Sequence, residues 1–200
     1  MDAGLAALLW QLVEASLPVT VAGPRGSGRR MLLAALNELR PVGVPLPPSR
    51  LPAIVEAGSL VELGERLAAP PFLASDDELR TLGAVLILGA AAGAAGPVRV
   101  LAAHYVRPLE LDGHGHVQRR PPAVLAAWDP AAGAFDDYAW GILPELAARA
   151  GIEAPAFETE RHRRAAYLGD LVHSGVTGPD AARRALAGYV TAAGGRIREP

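Results

Sequence analysis

Two hundred residues, half of them hydrophobic, with a net charge of about −2, suit one domain of ordinary size; they exclude wholesale disorder and any global pull toward nucleic acid or an anionic membrane. There is no cysteine, which removes disulfides, thiolate metal sites and cysteine nucleophiles. All nineteen basic residues are arginine, so no lysine anywhere can supply a compact ammonium group.

Residues 1–16 are apolar but carry Asp2 and Glu14 and no basic start, unlike a signal peptide. The uncharged run 82–98 is Gly/Ala-rich and shorter than the ~20 apolar residues of a spanning helix. The expectation is a soluble, cytoplasmic protein without a membrane span.

In chain order, Leu5, Leu8, Leu9, Leu12 and Val13 follow helical spacing behind Asp2 as a cap, and the β-branched run 19–22 predicts a strand. Three glycines follow. Met31, Leu32, Ala35, Leu36 and Leu39 then mark the apolar face of a second helix. A bridge at 40–52, with four prolines between 41 and 48, is a stiff connection. Residues 53–56 predict a short strand, Ser59 caps a helix to Leu67, and Ser75 and Glu78 have capping-box spacing. The apolar run 84–88 reads as a buried core strand. From Val98 the pattern alternates as hairpins, with turns at Asp112, Gly113 and at 129–133. The last third is helical: 143–150 ended by Gly151, 158–173 ended by Gly175, and 179–190 opened by Pro179, with a tail from Gly194.

The stretch from Gly23 to Arg30 carries the chemistry. Gly23, Pro24, Arg25, Gly26, Ser27, Gly28, Arg29 and Arg30 lie between a strand and a helix, where a glycine-rich turn lets successive N–H groups and the helix N-terminus face an anion. The spacing of Gly23 and Gly28 fits the phosphate-binding pattern G-x-x-x-x-G-K-[ST], but Arg29 stands at the lysine position and Arg30 at the hydroxyl position that would ligate magnesium. Arg29 can grip phosphate through its guanidinium fork; Arg30 cannot ligate a metal. The ligand expected is ATP or another phosphate anion, with no provision for magnesium. The competing reading is a glycine-rich strand–helix turn without ligand.

Elsewhere the residues have simpler explanations. His104, His114 and His116 lack the carboxylate spacing of a metal site, and Ser16, Ser27, Ser49, Ser59, Ser75 and Ser174 all read as caps or turns. No catalytic residue is assigned.

Several segments fall in the order of one family. The lead-in 12–23, the segment 55–60 with Arg66 and Leu67, the hairpins from Arg99 through Trp128, Asp129 and Pro130 to Phe135, and the closing helices 158–189 resemble the C-terminal motor domain of the secretion and pilus-assembly ATPases (type II secretion, type IV pili, tight-adherence pili, archaeal flagellum). Two departures matter: the proline-rich bridge stands where that family carries its acidic segment and the acid-ended strand, and Glu56 stands where it has a histidine.

The resemblance implies a reduced, RecA-like P-loop α/β domain at 1–150, its sheet parallel near Val19 and antiparallel after Val98, with a C-terminal helical subdomain at 151–193 and a tail at 194–200. It implies a degenerate ATPase that binds nucleotide or phosphate weakly and serves as a regulatory or assembly partner of a full-length motor or of itself. A divergent active ATPase, with Arg29 doing the lysine's work, and a ligand-free interaction module stay open beside it.

Overall fold

Asp2 accepts the N–H of Leu5 at 2.8 Å and opens α1 (Ala3–Glu14). The helix is buried from Leu5 to Val13 except for Ala6, rather than along one stripe, because it is covered on several sides. It feeds β1 (Val19–Ala22), followed by α2 (Arg29–Asn37), β2 (Ile54–Val55), α3 (Leu60–Ala68), α4 (Asp76–Leu79) and β3 (Ala84–Ala90). Then come β4 (Val98–Tyr105), a separate ribbon of β5 (Glu110–Leu111) and β6 (Val117–Gln118), β7 (Ala123–Asp129), β8 (Ala134–Asp137), α5 (Leu143–Ala150), α6 (Ala154–His173) and α7 (Pro179–Arg196). This computed structural model describes residues 1–41, 49–90, 96–176 and 178–196, with side chains up to 189. Most of the predicted proline bridge, and the Gly/Ala loop ahead of Pro97, lie outside the described residues.

Six strands form one mixed sheet in the order β2-β1-β3-β4-β7-β8. The first three are parallel, β1 pairing Ala22 with both Val55 and Ile87, and the rest are antiparallel. This is the predicted change from parallel to antiparallel pairing in an α/β domain. The chain runs from β1 to β2 on one side and then to β3 on the other, so the strand order reverses at β1. In open α/β sheets such a reversal leaves a crevice at the carboxyl ends of the strands.

The central position of β3 explains its unbroken apolar sequence. Ala84, Leu86 and Leu88 join a core built with α1, α2, α5 and Phe157 of α6. Val85 and Ile87 join a second core on the opposite face, with Val55, Leu63, Leu67 and Leu82. A strand covered on both sides has no solvent face, and its pattern cannot alternate.

Three details depart from the sequence pattern. Met31 is 76% exposed and only Leu36 of α2 is fully buried, so the helix sits on its Leu32, Leu33 and Leu36 side. Register shifts at 87/88 and at 103/104 break the expected alternation of β4. The last two helices are longer than predicted: α6 opens at Ala154, where prolines are tolerated in a first turn, and α7 runs through Gly194 to Arg196.

The closing helices meet α1 at several points: Gln11 Nε2 donates to the Phe157 carbonyl at 3.0 Å, and a buried arginine adds a charged joint. Arg164, with a side chain 10% exposed, pairs with Glu14 at 2.7 Å and Glu160 at 2.9 Å and lies 4.5 Å over the Trp10 ring. Trp10 Nε1 donates to Glu14, and Tyr189 donates its hydroxyl to Glu160, each at 2.9 Å. The Trp10 and Tyr189 rings are 5.2 Å apart.

Candidate phosphate-binding site

The carboxyl ends of β2, β1 and β3 converge on Gly23. Its N–H donates to the Val55 carbonyl at 3.3 Å, which puts Glu56 beside the loop on one flank, with Leu88 on the other. A Cβ at Gly23 would lie 2.8 Å from Leu88 Cβ, 2.8 Å from Ser27 Oγ and 3.0 Å from the Leu88 carbonyl oxygen. Only glycine fits between the two neighbours.

Beyond Gly23 the loop turns outward and returns. Pro24, Arg25 and Gly26 are exposed, and the Ser27 N–H closes the turn on the Pro24 carbonyl at 3.3 Å. Gly26 and Gly28 take left-handed φ of 79° and 78°, the conformation that costs a side-chain-bearing residue most. Gly28 is the N-cap of α2 and brings no side chain to cap it. Its carbonyl accepts the first helical bond, from Leu32 at 2.9 Å, so the N–H groups of Arg29, Arg30 and Met31 have no acceptor within the helix. These N–H groups and the positive end of the helix dipole face the same end of the sheet as Glu56.

Ser27 does not cap or close a turn through its side chain, as its sequence position suggested. The residue is 6% exposed, and its hydroxyl, held inside the loop against Gly23, has no hydrogen-bond partner among the described residues. A buried hydroxyl without a partner costs about 1–3 kcal/mol, which a ligand that supplies the missing bond would recover.

Of the eight consecutive predicted residues, 23–28 form the turn and Arg29 and Arg30 open α2, and the basic rim divides. Arg25 Nε donates to Glu56 Oε2 at 2.9 Å. Arg29 and Arg30 make no ion pair among the described residues. The Arg25 hydrogen bond holds the Glu56 carboxyl below the usual carboxylate range, with Arg66 and Arg29 adding to it, so Glu56 is ionised at neutral pH. Glu62, lining the same cleft, accepts the Gly58 N–H at 2.7 Å and pairs with Arg66 at 2.9 Å.

Glu56, Glu62 and Arg66 were not among the predicted site residues. Their approach depends on β2 pairing parallel with β1, and no local pattern reports that pairing. Two signals were available: Glu56 directly follows a short β-branched run, and the resemblance sets it at the family's histidine position.

The other candidates are spent on structure. The strand β3 ends at Leu88, Gly89 and Ala90 with no acid. Asp112 accepts the N–H groups of both His114 and His116, which is turn chemistry. Burial pushes the His104 imidazole below its usual range, which keeps it neutral at pH 7. Among the described residues no three His, Asp or Glu side chains converge as a metal-binding group, and no helix is long and apolar enough to cross a membrane.

No protein-family model matches the chain, and no curated protein sequence matches it.

Proposed function

We propose that this chain is a phosphate-binding domain of the P-loop type, similar to the motor domain of the secretion and pilus-assembly ATPases, that holds ATP or a related phosphate compound without hydrolysing it. Its role is that of a regulatory or assembly partner, acting in the cytoplasm on a full-length motor or on further copies of itself. The partner assignment rests on the resemblance alone; the ligand assignment rests on the loop.

The observation that carries the ligand reading is the buried, unpartnered Ser27 hydroxyl. It lies in a turn whose next N–H groups open α2 at the carboxyl edge of β1. Hydroxyl, backbone N–H groups and helix dipole together favour an anion with several acceptor oxygens. Arg29, at the next position, adds a planar donor fork suited to phosphate.

The metal half of a nucleoside-triphosphatase site does not fit these residues. Arg30 stands where an oxygen ligand belongs, β3 ends without an acid, and Glu56 and Glu62 are each engaged by an arginine. Removing one preorganised electrostatic contact from a reacting group costs about 10²–10³ in rate. Several are missing here at once, which favours binding over catalysis.

Calorimetric titration of the purified chain with ATP, with and without magnesium, beside Gly28→Asp, tests this reading. Aspartate tolerates a left-handed φ better than most residues, so the variant keeps its fold while putting a negative charge into the turn. The expected result is binding that is independent of magnesium and lost in Gly28→Asp. Magnesium-dependent binding with phosphate release would overturn the inactive reading, and no heat from a folded wild type would overturn the ligand.

A further inference from the structure

Building on the phosphate-binding reading, we infer that Glu56 is a resident competitor anion: its carboxylate holds Arg25 at the mouth of the loop, and only a phosphate chain of higher charge takes the guanidinium from it. The geometry has three parts. The Gly23 N–H on the Val55 carbonyl places Glu56 next to the turn. The Arg25 guanidinium, four-fifths or more in solvent, is directed back onto Glu56 at 2.9 Å. The Ser27 hydroxyl, without a partner among the described residues, and the uncapped start of α2 lie in the same turn, and the Glu56 carboxylate is turned to Arg25 instead.

Charge then decides what the loop accepts. With Glu56 on Arg25 and Glu62 on Arg66, the mouth carries two neutralised pairs and the two arginines, Arg29 and Arg30, that have no ion pair among the described residues. A singly charged anion offers Arg25 no more than the carboxylate already in place. A phosphate chain brings several charges at once, and it meets the loop N–H groups and Arg25 together. An exposed ion pair is weak and exchanges readily, so the competitor filters ligands without blocking them.

Glu56 is therefore a specificity-setting residue for multivalent phosphate, and its effect has a sign opposite to that of a metal-holding acid. Removing a competitor tightens anion binding; removing a metal ligand weakens it.

The test is magnesium-free calorimetry at low salt with two probes, inorganic pyrophosphate and ATP, on wild type, Glu56→Gln, Arg25→Ala and the double variant. Glu56→Gln is expected to tighten both probes roughly two- to fivefold, the range of one exposed ion pair. The larger part of that gain is expected to vanish when Arg25 is already alanine, leaving only the direct repulsion between Glu56 and the anion, and the gain should shrink as salt rises. Equal gains assign the effect to the phosphate chain; a gain for ATP alone adds the nucleoside to what the mouth reads. Wild-type binding with Glu56→Gln unchanged or weaker would overturn the competitor while leaving the phosphate site standing. Silence from all four proteins would remove both.

Discussion

Arg164 and Arg25 each meet a glutamate at under 3 Å, and the two arrangements serve opposite ends. Arg164 is buried between α1 and α6, divided between Glu14 and Glu160, and stacked on Trp10. Burial pushes its pKa down, but its hydrogen bonds to Glu160 and Glu14 outweigh that and raise it, so its charge is permanent. Arg25 has one partner and a side chain 88% exposed. A guanidinium that has lost its water must keep its carboxylates; one in solvent can trade a carboxylate for a phosphate at little cost. The same pair of groups is a clamp in one place and an exchangeable contact in the other.

The clamp is the easier to break. Arg164→Ala leaves two carboxylates in a poorly solvated joint and is expected to destabilise the fold by about 3 kcal/mol, read from urea unfolding. Phosphate affinity of the folded protein should not change. A loss below 1 kcal/mol would show that solvent reaches the joint.

Gly23→Ala attacks the other side of the comparison. Its Cβ cannot fit between Leu88 and Ser27, so the loop must shift. The expected outcome is loss of ATP binding by calorimetry, with a stability cost of about 1–3 kcal/mol from overpacking.

The clamp also has a pH signature. Burial pushes the Glu160 carboxyl up, but hydrogen bonds from Arg164 and Tyr189 prevail and hold it below its ordinary value of 4.5. A carboxyl with a depressed folded pKa contributes stability that is complete above its unfolded value and is lost as pH falls through the folded one. Wild-type stability should therefore fall below about pH 4.5 more steeply than that of Glu160→Gln, as followed by thermal unfolding between pH 3 and 6.

The smallest effect concerns a residue whose spacing misleads. Met31 keeps helical register with Leu32 and Leu36 yet points to solvent, so Met31→Gln should change stability by less than about 0.5 kcal/mol.

Met31 illustrates what local pattern can and cannot carry. Caps and stops are local chemistry, and Asp2, Ser59, the capping box of Ser75 and Glu78, and Gly151 all stand where their residue types place them. The glycine turn between β1 and α2 was legible for the same reason. Which side of α2 packs depends on the layer beneath it, and the approach of Glu56 depends on sheet order. Neither is written in the spacing of neighbouring residues. Ser27 was placed in the site by its position in the loop, but its hydroxyl was read as a turn or cap group, and only the fold shows that the turn leaves it without a partner among the described residues.

The most direct measurement of the central claim is amide NMR of the uniformly ¹⁵N-labelled chain titrated with ATP in the absence of magnesium. The N–H signals of Ser27, Gly28, Arg29 and Arg30 should move first and furthest, with Arg25 and Glu56 following, while Trp10 and Arg164 stay still. Shifts confined to other surfaces, or no shifts at millimolar ATP, would contradict a phosphate site in this loop.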